Sequence, residues 1–327
     1  MGKASDNQFE FYKRNLIQNN KIVIKKAEIL KPYHKSNIYT EFTDEEEYHS
    51  FFGISQSALG KALRSPYSYY YSKYVQEKNK SSYHMDLGSY LHAIILEPHR
   101  LDEFYHDEDV IAEIIAERPD VSSPRSTKEY KSWLKQKKEG PGKLIKKEEI
   151  DNMRLMVNNV YEHKEAAALL SAGIKEKAIL TYCDHWDLYL RGKMDCFSVQ
   201  DCWILDLKKV QSINTDKFSR DIYEKLYFLQ ASFYAKLFEL KFGKPLKNYY
   251  WLVSESNPPF EAELFIADTN VIKSGNFLMH YLATEIADCY AKLQFKKPKT
   301  AKIIDLPFWS DQKLDKIISE KYHERNN

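Results

Sequence analysis

Hydrophobic positions change period near residue 175. Upstream they recur at three- and four-residue intervals, which predicts helices, and downstream they first alternate, which predicts strands. "MDLGSYLHAIILEPHRLDEFY" (85–105) reads as one helix with Gly88, Leu91, His92, Ile95 and Leu96 near one stripe. "EEIDNMRLMVNNVYEHKEAAALLSAG" (148–173) reads as another, ended by Gly173. A shorter helix over "ALGKALRS", capped by Ser55 or Ser57, meets Pro66, which ends or resets it. "KAILTYCDHWDLYLRGKMDCFSVQDCWILDLKKV" then gives three strands with turns near Asp184–Asp187 and Ser198–Asp201. "DKFSRDIYEKLYFLQASFYAKLFELKFG" (216–243) is a long helix stopped at Gly243, "KNYYWLVSES" and "PFEAELFIAD" return to strand, and "TNVIKSGNFLMHYLATEIADCYAKLQ" closes the pattern as a helix. Antiparallel strands, a crossover helix and a further strand describe an α/β fold, a mixed central β-sheet flanked by helices with a helical N-terminal part. Residues 1–45, with "KIVIKKAEIL" as an edge strand, read as an extension; 46–310 form a single domain and 311–327 a tail.

Composition narrows this only a little. The 327 residues are 43% hydrophobic and carry 49 Lys and Arg against 47 Asp and Glu, an ordinary globular balance that neither selects nor excludes nucleic acid. The opening "MGKASDNQFEFYKRN" holds no apolar signal core and no apolar run approaches a membrane span, so a cytoplasmic location with no membrane association is the default. Cys183, Cys196, Cys202 and Cys289 form no CxxC pair and read as small core residues. "GISQSALGK" is not a phosphate loop, since six residues separate Gly53 from Gly60 and Ala62 follows Lys61. Charge is concentrated in one place: residues 121–147 hold nine Lys and Arg against two Glu between proline and glycine breaks. Such a run is usually a solvated face, yet it is also where phosphate contacts are expected, with Arg125, Lys128 and Lys131 as candidates.

The candidate chemistry lies in "RGKMDCFSVQDCWILDLKK" (191–209). Alternation places Asp206 and Lys208 on one face of a strand and Leu205 and Leu207 on the other. A tight turn then sets Asp195 beside Asp206. Two carboxylates with a lysine suit a hard divalent ion, whereas a cross-strand salt bridge needs only one of them. The spacing alone leaves both readings open, and His92 on its stripe reads as a core residue.

Asp195 followed by "ILDLK" resembles the PD-(D/E)xK nuclease core, without the proline of the family's name. The ordered segments "YHSFFGISQSALGKALRSPYSYY", "DLGSYLHAIILEP", "RGKMD…ILDLKKV", "FLQASFY", "WLVSES" and "IIDLPFW" resemble the exonuclease VIII-like (RecE-type) and RecB-like branch, from about Tyr48 to Trp309. The resemblance implies a metal site of His92, Asp195, Asp206 and the Leu207 carbonyl, with Lys208 as the catalytic lysine. It implies that Gln230 and Tyr234, spaced as QxxxY, hold DNA, and it places Glu176 at an acidic position of the first core strand. Glu255 also matches a family position, with no role attached. The cysteines do not fit the iron–sulfur pattern of some relatives.

The implied function is a Mg²⁺-dependent exodeoxyribonuclease, with Mn²⁺ as a substitute. It would act on double-stranded DNA ends 5′→3′ and leave 3′ overhangs for phage-type recombination. The implied partners are a single-strand annealing recombinase and further copies of the chain in a ring. The alternatives are an endonuclease or repair nuclease of the same fold, and a non-catalytic DNA-end-binding module.

Overall fold

The computed structural model describes residues 53–76, 82–140, 142–292 and 294–297. The extension 1–45, the strand expected at 21–30 and the tail from 311 lie outside the described residues. The described residues up to Phe295 belong to one compact unit.

Among the described residues, three α-helices precede the first strand. Helix α1 (Gln56–Lys61) is capped by Ser55, whose hydroxyl accepts the Ala58 N–H. Pro66 opens α2 (Pro66–Tyr74) behind the Ser65 cap, because a helix's first turn has no use for the missing N–H. Helix α3 (Tyr83–Ile95) carries His92 and is shorter than its apolar stripe suggests. Pro98 cannot continue it, and a 3₁₀ segment (Pro98–Glu103) leads into strand β1 (Phe104–His106).

The basic stretch is folded. Helices α4 (Glu108–Glu117) and α5 (Lys128–Lys138) precede β2 (Lys143–Ile145), which pairs in parallel with β1. Ile111, Ile114 and Tyr130 form a small core there. The helical run 148–173 is in fact two helices, α6 (Lys147–Glu162) and α7 (Lys164–Ala172). His163 separates them in extended conformation, and its Nδ1 accepts the Ala166 N–H as the cap of α7.

The strands are β3 (Ile174–Cys183), β4 (Leu188–Ser198), β5 (Trp203–Val210), β6 (Asn248–Glu255) and β7 (Ala262–Ile266), in the spatial order β3-β4-β5-β6-β7. All neighbours are antiparallel except β5 and β6, which are parallel. A parallel pair requires a crossover, supplied by α8 (Thr215–Glu224) and α9 (Tyr227–Phe242). Leu226 breaks that crossover in the left-handed region at φ +59°, and Gly243 ends it at φ +66°. Helix α10 (Thr269–Lys292) closes the described fold. No helix among the described residues is long and apolar enough to cross a membrane.

Each sheet face has its own core. Leu205, Leu207, Tyr250 and Leu252 pack with Leu91 and Ile95 of α3 and with Met153, Met156 and Leu170 of α6 and α7. Ile204, Val210, Trp251 and Val253 pack on the opposite face with Leu229, Phe233 and Leu237 of α9 and Met279 and Leu282 of α10. Strand β5 is therefore buried from both sides, which makes every charge on it conspicuous.

Helices α9 and α10 meet through Gly275. A Cβ there would lie 2.2 Å from the Phe228 carbonyl oxygen and 2.2 Å from the Ser232 hydroxyl, and that hydroxyl donates to the Ile272 carbonyl at 2.8 Å. A Cβ at Gly88 in α3 meets nothing within 4 Å. The same substitution therefore has opposite signs at the two sites. Gly275→Ala is expected to destabilise by about 1–3 kcal/mol through forced separation of the helices. Gly88→Ala is expected to stabilise by roughly 0.5–1 kcal/mol through helix propensity. Urea unfolding of the two variants checks both.

Candidate active site in the gap between two strands

Strand β4 changes partner halfway along. Ser198, Phe197 and Cys196 pair with Trp203, Ile204 and Leu205 of β5. Further back, the Arg191 N–H donates to the Ile54 carbonyl and the Ile54 N–H to the Tyr189 carbonyl, so the segment before α1 takes over that edge. Between these two pairings β4 and β5 part, and side chains fill the opening.

Asp195 stands at the fork. Its Oδ2 accepts the Leu207 N–H at 2.8 Å, where a strand carbonyl would otherwise serve. The Leu207 carbonyl accepts from His92 Nε2 at 3.1 Å. Leu207 is buried, and each of its backbone groups left unpaired would cost about 1–3 kcal/mol. The two side chains satisfy both.

Glu176 completes this half of the site from β3, facing Asp195 between the Lys175–Cys196 and Lys177–Met194 pairs of the β3–β4 register. Its backbone lies at φ +49°, a left-handed conformation that costs a non-glycine residue roughly 1–2 kcal/mol. In that conformation Oε1 accepts from His92 Nδ1 at 3.2 Å and Oε2 meets Lys193 Nζ at 2.7 Å. His92 Nε2 lies 3.9 Å from Asp195 Oδ2.

The other half reaches the gap from the α9 face. Asp206 is 1% exposed, its Oδ2 is 2.5 Å from Lys208 Nζ and its Oδ1 accepts from Gln230 Nε2 at 3.0 Å. The break at Leu226 places the Tyr227 ring over Lys208, with Nζ 4.9 Å from its centroid. Tyr249 is buried within the field of Asp206, and burial together with that charge pushes its hydroxyl well above its usual range. Tyr234 packs its ring on Gly192 of β4, where a Cβ would come within 2.7 Å of it.

Burial and neighbouring charges set the protonation states. Burial pulls the His92 imidazole down, but the Asp195 and Glu176 carboxylates outweigh it and lift the ring to about 9. Burial raises Asp195, and it pushes Asp206 up to about 6 against the opposing pull of Lys208. Burial also opposes the charge on Lys208, yet Asp206 and Asp195 hold it above its ordinary value. Without metal the cluster is thus balanced by the chain's own cations.

The structure brings together His92, Glu176, Asp195, Asp206, Leu207, Lys208 and Gln230. Arg125, Lys128 and Lys131 lie instead in the small β1–β2 unit. Arg125 is engaged there by Asp107 at 2.8 Å and by Glu148 at 2.8 Å, while Lys128 and Lys131 are exposed on α5. Sequence reading missed Lys193, Glu97 and Tyr227. Strand alternation, which puts Lys193 on the same face as Asp195, offers a signal for the first.

Among the described residues, His92, Glu176 and Asp195 each offer a ligand atom within 4.8 Å of the others. An imidazole nitrogen, carboxylate oxygens and the adjacent Leu207 carbonyl form a donor set that fits a hard or borderline divalent ion such as Mg²⁺ or Mn²⁺.

Comparison with known proteins agrees with the fold. Residues 55–302 match the family described as "PDDEXK-like domain of unknown function (DUF3799)". The chain belongs to that family, and its fold is that of the PD-(D/E)xK nucleases. A crystal structure from Eubacterium rectale, provisionally described as an exonuclease, superposes with a TM-score of 0.50 at 10% identity. It covers 82% of this chain and 94% of that one, and it shows the shared fold. A phage-related exonuclease from Haemophilus somnus 129PT is similar over 56% of this chain and 94% of its own, with TM-score 0.27 and 12% identity. No curated protein matches the chain.

Two pH dependences result. An imidazolium cannot ligate through Nε2, so a metal held by His92 would displace that proton. Mn²⁺ affinity is expected to rise about tenfold per pH unit from pH 7 to 8.5 and to level off near 9, as measured by titration calorimetry. His92→Gln should flatten that slope, and a pH-independent wild-type affinity would refute the assignment. Metal-free protein should also lose stability with rising pH. Folding raises Asp206 from 3.8 to about 6 and His92 from 6.5 to about 9. The stability each contributes is complete below its lower value and lost as pH climbs through its upper one. Thermal melts in EDTA between pH 6.5 and 9 read the His92 part.

Proposed function

We propose that the chain is a divalent-metal-dependent deoxyribonuclease, using Mg²⁺ or Mn²⁺, that degrades duplex DNA from its ends. The observation that carries this reading is the meeting of His92 and Asp195 at the Leu207 backbone, flanked by Asp206 and Lys208, in a gap between two strands. A structural salt bridge accounts for Lys208 and Asp206 alone. It leaves unexplained why ionisable groups, Asp195 and His92, pair the Leu207 backbone, and why a further carboxylate, Glu176, faces them. A binding module has no use for so many buried charges, which are costly unless paired or ligating.

In this reading His92, Asp195, Asp206 and the Leu207 carbonyl hold the ion, with Glu176 beside them. When bound, it supplies Lewis acidity, lowering the pKa of a water and neutralising charge on the scissile phosphate. Lys208 keeps its ammonium charged at Asp206 and offers N–H donors to the charge that develops on the phosphate. Tyr227 covers that ammonium, and Gln230 fixes the Asp206 carboxylate. Tyr234 on the same face of α9 and the exposed Lys128 and Lys131 of the β1–β2 unit are assigned to DNA contact. The end-dependent, 5′→3′ polarity with 3′ overhangs, a ring of subunits and an annealing recombinase partner belong to the reading through the resemblance of the six ordered segments. The exonuclease description of the Eubacterium rectale structure supports only the end-dependent part of this reading.

The test incubates purified protein with linear and with covalently closed circular duplex DNA, in Mg²⁺ or EDTA, beside Asp206→Ala. Loss of linear DNA alone is expected, abolished by EDTA and reduced about 100-fold or more by the substitution. Cleavage of the circle would replace the exonuclease reading with the endonuclease one. Inactivity on both would refute the proposal.

A further inference from the structure

Beside the cluster lies a partly buried chain of charges, of which the proposed chemistry uses only the His92 and Glu176 end. Lys193 Nζ sits between two carboxylates, 2.7 Å from Glu176 Oε2 and 3.0 Å from Glu97 Oε2. Glu97 is itself buried at the end of α3 and held by Arg100 at 2.8 Å. Glu176 spends its other oxygen on His92 Nδ1. The series Arg100–Glu97–Lys193–Glu176–His92 thus joins the helix that carries the histidine to the first two strands of the sheet.

We infer that Lys193 is a positioning residue: clamped by Glu97, it fixes the Glu176 carboxylate so that His92 keeps its proton on Nδ1 and presents Nε2 to a metal. The inference rests on the metal-dependent reading and adds to it the residues that set the histidine's tautomer. Three observations support it. An ionised carboxylate only accepts hydrogen bonds, so at Glu176 the Nδ1 must be the donor, which leaves Nε2 as the ligand. Glu176 is held at a left-handed φ of +49°, so its aim depends on what grips the carboxylate. Lys193 Nζ bridges the two carboxylates at 2.7 Å from Glu176 Oε2 and 3.0 Å from Glu97 Oε2, so Glu176 is gripped from a second fixed point. A metal-bound histidine whose distal N–H meets a fixed carboxylate is a more basic and better oriented ligand, and loss of such support typically costs 10–100-fold in metal affinity.

Lys193→Met, Lys193→Arg and Glu97→Gln in the full chain, with folding checked by thermal melts, provide the test. Mn²⁺ affinity is read by calorimetry, and the His92 Nδ1–H is followed by NMR on histidine-labelled, Mg²⁺-loaded protein. Lys193→Met is expected to weaken Mn²⁺ binding about 10–100-fold and to abolish the hydrogen-bonded Nδ1–H signal while other histidine signals stay in place. Lys193→Arg should restore both, and Glu97→Gln should fall between. The two ways of failing are distinct. A wild type that binds no Mn²⁺ overturns the metal reading and the inference with it. Tight wild-type binding that survives Lys193→Met, with the Nδ1–H signal unchanged, overturns the inference alone.

Discussion

The site depends on the backbone of one residue. Where β4 leaves β5, the Leu207 N–H and C=O lose their strand partner inside a sheet covered on both faces. Buried backbone groups must be paired, and here Asp195 and His92 pair them. That requirement brings a carboxylate from β4 and an imidazole from α3 to the same point. Asp206 and Lys208 flank it on the same strand, and Glu176 faces it from β3. The parting has its own cause: Ile54 captures the far half of β4 by backbone hydrogen bonds. A chain segment remote from the chemistry thus opens the gap in which the chemistry is set.

Charge balance arises from the same geometry. Three carboxylates, Glu176, Asp195 and Asp206, face the ammonium groups of Lys193 and Lys208 and an imidazole raised to about 9. Low-dielectric surroundings make each of these charges expensive alone and tolerable together. The histidine proton is the most readily lost of these positive charges. An arriving cation therefore replaces a proton rather than adding to a balanced cluster.

Much of this was legible in the residues. Period-two alternation located three strands and put Asp206 and Lys208 on one face, and a four-residue turn set Asp195 opposite Asp206. Other features depend on tertiary partners. The break at Leu226, a residue with good helix propensity, is visible only once Tyr227 is seen lying over Lys208. His163 as a cap inside an apolar helical run reflects the angle between α6 and α7. Lys193 and Glu97 are far apart in sequence and meet only through α3 docking on the sheet. Arg125 reads as a solvent-facing cation in a basic run, whereas the structure ties it to Asp107, which lies outside that run and is fully buried.

The most direct measurement of the central claim is anomalous diffraction from crystals grown with Mn²⁺. One strong peak is expected within ligating distance of His92 Nε2, a carboxylate oxygen of Asp195 and the Leu207 carbonyl, at roughly 2.0–2.4 Å from each. A protein that binds Mn²⁺ only elsewhere, with His92 Nε2 still donating to Leu207, would contradict the account.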